Sequence, residues 1–168
     1  MTTNNKDGYA PTKIDGAAAR VREILVPLDG SDHALKALRY AVRLAELFGA
    51  RIHTVQVLES VIYPEGNTIP PRNYEPDDIA LKTARGHLSE TVARLIPDAV
   101  RWQARVIAGH PCSEIIDYGR REKIDLMVIT THGRSGLKHF LMGSSAEQIL
   151  RHAPCPVLVV RDKEHEFA

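Results

Sequence analysis

The chain has 168 residues, 43% of them hydrophobic and 26% charged, which is enough for one soluble globular domain with a real core. Its 22 basic and 21 acidic residues leave a net charge of +1, which counts against nucleic acid as the main partner. Two cysteines without a C-x-x-C spacing, Cys112 and Cys155, exclude a disulfide framework or a cysteine zinc site, and no stretch nears the ~20 apolar residues of a membrane span.

Residues 1–20 are polar and aperiodic, without the apolar core of a signal peptide, and read as a loosely attached leader on a cytoplasmic protein. Glu23-Ile24-Leu25-Val26-Pro27-Leu28 is a short apolar run that stops at Asp29-Gly30-Ser31, the pattern of a buried strand and a turn. Ser31 or Asp32 caps a helix in which Leu35, Leu38, Val42 and Ala45 recur at helical spacing, and Gly49 ends it. Arg51 opens a second strand through Leu58, with Ile52, Val55 and Val57. Residues 59–76, carrying Pro64, Pro70, Pro71 and Pro76, form a long connection of the kind that is usually functional or mobile.

A helix from Asp77 to Ile96 puts Leu81, Ala84, Leu88, Val92 and Leu95 on one face, and a third strand follows from Val100 to Ala108. Gly109-His110-Pro111 breaks it. A short helix from Ser113 turns Ile115 and Ile116 inward, and a fourth, apolar strand runs from Ile124 to Thr130. After a glycine-containing loop come a helix from Ser144 to Arg151, an extended Pro154-Cys155-Pro156 link, a last strand and, from residue 163, a charged tail. Strands alternate with helices throughout. The expectation is one α/β domain over residues 21–162, a five-stranded, mainly parallel sheet with helices on both faces.

The loop between Thr130 and the helix at Ser144 is the richest stretch. Gly133 and Gly136 follow a buried strand at the sheet edge where α/β proteins bind ligands, and Gly143-Ser144-Ser145 opens a helix whose N–H groups suit a phosphate. Ser144 with Glu147 also matches a capping box, the plainer account of the same residues. Asp29, at the end of the first strand, suits ribose hydroxyls, with a metal held through phosphates as the runner-up and an Asx turn as the local alternative. His132 stands at the loop mouth, Arg134 and Lys138 can screen phosphate charge, and His110 is the other histidine near this edge. His33, His53, His87, His139, His152 and His165 suit solvated or packing roles. Walker A and strict G-x-G-x-x-G loops are missing from the sequence.

These residues resemble the universal stress protein family. The resemblance rests on Ile24-Leu25-Val26-Pro27-Leu28-Asp29-Gly30-Ser31, on Thr131-His132-Gly133-Arg134-Ser135-Gly136, on Gly133-x9-Gly143-Ser144 and on His152-Ala153-Pro154-Cys155-Pro156-Val157-Leu158-Val159-Val160. It implies a five-stranded α/β domain and a regulatory homodimer in stress response, paired in many members through the last strand, here Val157-Leu158-Val159-Val160-Arg161. It also implies an adenine-nucleotide site for ATP, with AMP or cyclic AMP as alternatives and Mg2+ accompanying the nucleotide. By position, Pro27, Leu28 and Asp29 match the loop against nucleotide and ribose, and Val57 matches the residue whose backbone reads the adenine edge. Ile129 and Thr130 match the strand end under the ribose, while His132, Gly133, Arg134, Gly143, Ser144 and Ser145 lie in the phosphate segment.

The family's Gly-x2-Gly-x9-Gly-Ser/Thr pattern appears here as Thr130-x2-Gly133-x9-Gly143-Ser144, with threonine at the first glycine. Thr130 would crowd the ribose, point into the sheet, or donate its hydroxyl. The phosphate half is intact, so binding is expected. The alternative is a dimeric interaction module closed to nucleotide by Thr130. With no dedicated base and no lysine in a phosphate loop, turnover is not expected beyond slow ATP hydrolysis.

Overall fold

The computed structural model describes residues 20–63, 72–131 and 144–161. In chain order the elements are β1 (Glu23–Pro27), α1 (Asp32–Phe48), β2 (Arg51–Glu59), β3 (Val61–Tyr63), β4 (Arg72–Tyr74), α2 (Asp78–Leu95), β5 (Trp102–Gly109), α3 (Pro111–Arg121), β6 (Leu126–Thr130), α4 (Ser144–His152) and β7 (Val157–Val160). Five strands form one sheet in the order β5-β2-β1-β6-β7, and every pairing in it is parallel. This is the α/β architecture expected from the alternation of apolar strands and amphipathic helices.

Local chemistry sets the helix ends. Ser31 caps α1, its hydroxyl accepting from Ala34 N at 3.2 Å, which settles the choice between Ser31 and Asp32. Gly49 closes α1 with φ +67°, a left-handed turn that glycine adopts without steric cost. Asp77 caps α2 by accepting from Ala80 N at 2.7 Å, and Ile96 turns extended before Pro97. Pro111 is the first residue of α3, two positions earlier than the sequence suggested, because a proline suits the first helical turn.

The pleat sends alternate strand residues into two cores. Ile24, Val26, Ile52, Val128 and Val160 face α1 and α2 with Leu38, Ala41, Leu88 and Val92. Leu25, Val55, Met127 and Ile129 face α3 and α4 with Ile115, Tyr118 and Ile149. Ile24, Leu25, Val26, Ile52, Met127 and Val128 are fully buried, as strands covered on both sides must be.

One feature departs from the sequence expectation and another sharpens it. The proline-rich connection holds an antiparallel hairpin, β3 with β4, in the register Val61↔Tyr74 to Tyr63↔Arg72. Such three-residue strands are too short to show a period of two. His53, expected in a solvated or packing role, takes the packing one and is fully buried near the start of β2. Gln103 Nε2 donates to its Nδ1 at 2.8 Å and to the Tyr118 hydroxyl at 3.0 Å, while Tyr118 Oη lies 3.0 Å from Nδ1. With Nδ1 accepting, the ring proton sits on Nε2, 2.7 Å from Glu23 Oε2. Side chains from β1, β2, β5 and α3 thus meet at the amino edge of the sheet.

α3 also packs closely on β6. A Cβ at Gly119 would collide with Met127 Cε and lie 3.2 Å from Pro154 Cγ. Met127 Cε is the movable end of its side chain and alanine gains about 1 kcal/mol of helix propensity, so Gly119→Ala is expected to change stability by no more than about 1 kcal/mol, whereas Gly119→Leu should cost about 2 kcal/mol or more, both read from the urea midpoint. Burial pushes the Tyr118 phenol above its ordinary value of 10.0, and the Glu122 carboxylate adds to this against Gln103, Arg105 and Arg121. The folded state therefore holds this proton more tightly than the unfolded chain. That stabilisation is complete below about pH 10 and is lost as pH rises through the folded value. Urea midpoints between pH 8 and 11.5 should fall less steeply for Tyr118→Phe than for the parent chain; parallel curves would refute this.

Candidate functional site

The sheet order fixes where a crevice can form. From β1 the chain proceeds outward to β2 and β5 on one side, while β6 and β7 lie on the other, so the connection reverses between β1 and β6. In open parallel sheets, ligands bind outside the carboxyl ends of the strands at such a reversal. β1 and β6 are in register at Ile24↔Leu126 and Leu25↔Met127, both near the strand starts. Farther along, Val26 and Pro27 pair with Thr54 and Val55 of β2, and Leu28 N donates to Val55 O at 2.8 Å. Ile129 and Thr130 pair instead with Val159 and Val160 of β7. The two carboxyl ends are thereby drawn to opposite neighbours, which leaves a cleft between them.

Pro27, Leu28 and Asp29 form one wall. Leu28 is buried, whereas Pro27 and Asp29 are half-buried at the rim. Asp29 Oδ1 accepts from Ser31 N at 2.9 Å and from Ser31 Oγ at 2.6 Å, and Gly30 between them takes φ +83°. The Asx turn considered from sequence is therefore present. It also holds the Asp29 carboxylate at the rim.

Ile129 and Thr130 form the other wall. Ile129 is buried with the α3 and α4 core, and half-buried Thr130 falls, by alternation with Val128, on the α1 and α2 side. Val57, in register with Ile107, packs partly buried against the α3 and α4 core. Pro27, Val57 and Ile129 therefore share the sheet face over which α4 begins.

α4 starts at Ser144, and Ser145 beside it is exposed. Glu147 is taken up by Arg151, whose Nε and Nη2 donate to Oε1 at 3.1 and 2.8 Å, a within-helix pair. The first turn of α4 rests on α3, where the Cys112 thiol lies 3.8 Å from the Ser145 carbonyl. The structure thus brings Pro27, Leu28, Asp29, Ile129, Thr130 and the start of α4 to one sheet edge, with Val57 nearby on β2. His132, Gly133, Arg134, Lys138 and Gly143 lie outside the described residues.

The neighbouring rim is the Gly109-His110-Pro111 break, where the sequence already placed His110 near this edge. Gly109 has φ +146°, and a Cβ there would stand 2.8 Å from Glu114 Cγ and 2.9 Å from Glu114 Oε1. Glycine at this strand end lets the first turn of α3 close over it. Ser60 N donates to Gly109 O at 3.2 Å, which ties the start of the β3–β4 hairpin to the same corner. Exposed His110 precedes Pro111 at the helix start without a side-chain capping bond. The sequence signals for this corner were the Gly109-His110-Pro111 break and the position of His110; the contact between Gly109 and Glu114 was not legible in it. Among the described residues, no group of three His, Cys, Asp or Glu side chains could hold a metal ion, and no helix is long and apolar enough to cross a membrane.

Comparison with known proteins gives the same outline. The sequence profile of the universal stress protein family matches residues 20–161. A universal stress protein of Methanocaldococcus jannaschii is 30% identical over 146 residues, covering 86% of this chain and 85% of that protein. The structure of a universal stress protein from Lactobacillus plantarum superposes with a TM-score of 0.67 at 27% identity, covering 86% of this chain and 100% of the other. The universal stress protein of Archaeoglobus fulgidus in complex with dAMP superposes with a TM-score of 0.59 at 22% identity, covering 83% and 98%.

Proposed function

The chain belongs to the universal stress protein family, and on that premise we propose that the cleft between β1 and β6 binds an adenine nucleotide, in a dimeric regulatory protein of the stress response. The observation that carries this reading is the parting of the carboxyl ends of β1 and β6, with the α4 start on the same side of the sheet as Pro27, Val57 and Ile129. Backbone N–H groups at Ser144 and Ser145 would take phosphate oxygens, favoured by the positive end of the helix dipole. Asp29 would accept from ribose hydroxyls, and Val57 would offer its backbone to the adenine edge. Gly133 and Gly143 would let the phosphate segment approach closely. The dAMP complex of the Archaeoglobus fulgidus relative supports an adenine nucleotide as the ligand class.

ATP is the proposed ligand, with AMP and cyclic AMP as alternatives. Mg2+ would accompany the phosphates, with Asp29 the described carboxylate at the rim. Signalling then needs only a difference in nucleotide affinity between two conformational or partner states, with no catalytic turnover. The proposed dimer uses β7. This strand is the sheet's edge, and Val157, Leu158 and Val159 on it are half-buried in the single chain, an apolar edge that a second copy would cover. A cytoplasmic protein is the matching location.

Thr130 keeps a second reading alive, a dimeric module closed to nucleotide. Its place beside Val128 favours the open site, because the side chain falls on the α1 and α2 side of the sheet, away from Ile129 and Val57. Isothermal titration with ATP separates the two. Gly143→Trp should weaken ATP at least tenfold with the thermal melt retained; unchanged affinity would refute the phosphate placement. Thr130→Gly should alter ATP affinity less than threefold. Absence of ATP binding in the parent chain, restored by Thr130→Gly, would establish the closed module instead.

A further inference from the structure

The strands stand in the order β6, β1, β2, β5, so a molecule laid from the cleft across their carboxyl ends meets four strand ends in turn, over about 14 Å. Three of them are assigned in the proposed nucleotide site: phosphate beside β6 and α4, ribose at Asp29 after β1, base against Val57 of β2. The fourth, the end of β5, carries Gly109. Val57 pairs with Ile107, and Gly109 follows two residues later, about 6.6 Å farther along and on the same face. That face is the one covered by α3 and α4.

Glu114 fills the space over Gly109. Its Cγ and Oε1 stand 2.8 and 2.9 Å from where a Cβ of residue 109 would be, so the side chain turns back from the first turn of α3 over the strand end. Glu114 is half-buried, and no described residue makes a hydrogen bond or ion pair with its carboxylate. Its oxygens therefore have acceptor positions open to a donor that the described residues do not supply. Glu59, opposite Gly109 at the end of β2, is the other carboxylate of this corner and is exposed.

We propose that Glu114 selects the base of the bound nucleotide by accepting a hydrogen bond from the exocyclic amino group of adenine. Glu114 thereby adds base preference to the nucleotide site proposed above, on which this role rests. The amino group carries two hydrogens. The Val57 backbone takes one, which leaves the other for the carboxylate at the end of β5. A charged acceptor makes this the stronger kind of hydrogen bond. A purine with a carbonyl oxygen at the same carbon would instead set a lone pair against the carboxylate, and that repulsion disfavours it. Gly109 serves the arrangement, because a side chain there would displace Glu114 and would strain the backbone at φ +146°.

The test is isothermal titration of the full chain with ATP, with GTP and with inosine triphosphate, in which a carbonyl replaces the amino group. The parent chain should bind ATP at least tenfold more tightly than inosine triphosphate. Glu114→Ala should cut that ratio at least fivefold by weakening ATP, with inosine triphosphate changed less than twofold and the thermal melt retained. Glu114→Gln should strengthen inosine triphosphate at least threefold, because the amide can donate to its carbonyl oxygen. Glu59→Ala should leave the ratio within twofold. If Glu114 only supports α3, its removal weakens both nucleotides alike, and that result overturns the proposal. So does an unchanged ratio in Glu114→Ala with ATP still bound; the nucleotide site survives either result. GTP bound more tightly than ATP assigns the carboxylate to a guanine edge and also overturns the proposal. Binding of none of the three overturns the proposal and the nucleotide site together.

Discussion

The seam between β1 and β6 is the constraint on which the rest of the molecule depends. At its amino end it is sewn shut. The Asp125 carboxylate accepts from Arg22 N at 2.7 Å and from Glu23 N at 3.0 Å, and Asp125 N donates back to Glu23 O at 2.9 Å. Two residue pairs later the strands part toward different neighbours. A sheet continuous at one edge and divided at the other has one cleft. The cleft's walls are whatever residues end β1 and β6, here Pro27 to Asp29 and Ile129 to Thr130.

The two edges of the sheet divide their work. The amino edge carries the polar ties: the Asp125 clasp and the cluster of His53, Glu23, Gln103 and Tyr118, which joins three strands to α3. Polar groups at this depth are stable only when partnered, and no buried side-chain nitrogen or oxygen lacks a partner among the described residues. The carboxyl edge carries turns and helix starts: Gly30 before Ser31, Gly109 before Pro111, and the start of α4 at Ser144. Strand ends that open into helix N-termini leave backbone N–H groups facing outward, which is what an anionic ligand needs.

Much of this was legible because the signals are local. Leu81, Ala84, Leu88, Val92 and Leu95 announced the inner face of α2, and all five pack on the core. Ser31 and Gly49 announced the ends of α1, and apolar runs such as Leu126-Met127-Val128-Ile129 announced strands covered on both sides. The walls of the cleft were legible as well, through Asp29 after the first strand and Ile129-Thr130 at the end of the fourth. The β3–β4 hairpin was not legible, since its strands are three residues long and separated by proline-rich chain. His53 looked like any histidine in an alternating strand, because its partners lie 30, 50 and 65 residues away in sequence.

The sequence by itself determined the alternation of strand and helix, the family and the residue types at the cleft, since propensity, capping and hydrophobic period act over a few neighbouring residues. The tertiary structure alone decided which strands lie side by side, that β1 and β6 close at one end and part at the other, that Thr130 shares a side of the sheet with Val128, and that His53 meets Glu23, Gln103 and Tyr118. Those outcomes depend on strand order and on the face each side chain takes. Both are set by burying two apolar sheet faces at once, a condition no local stretch of chain contains.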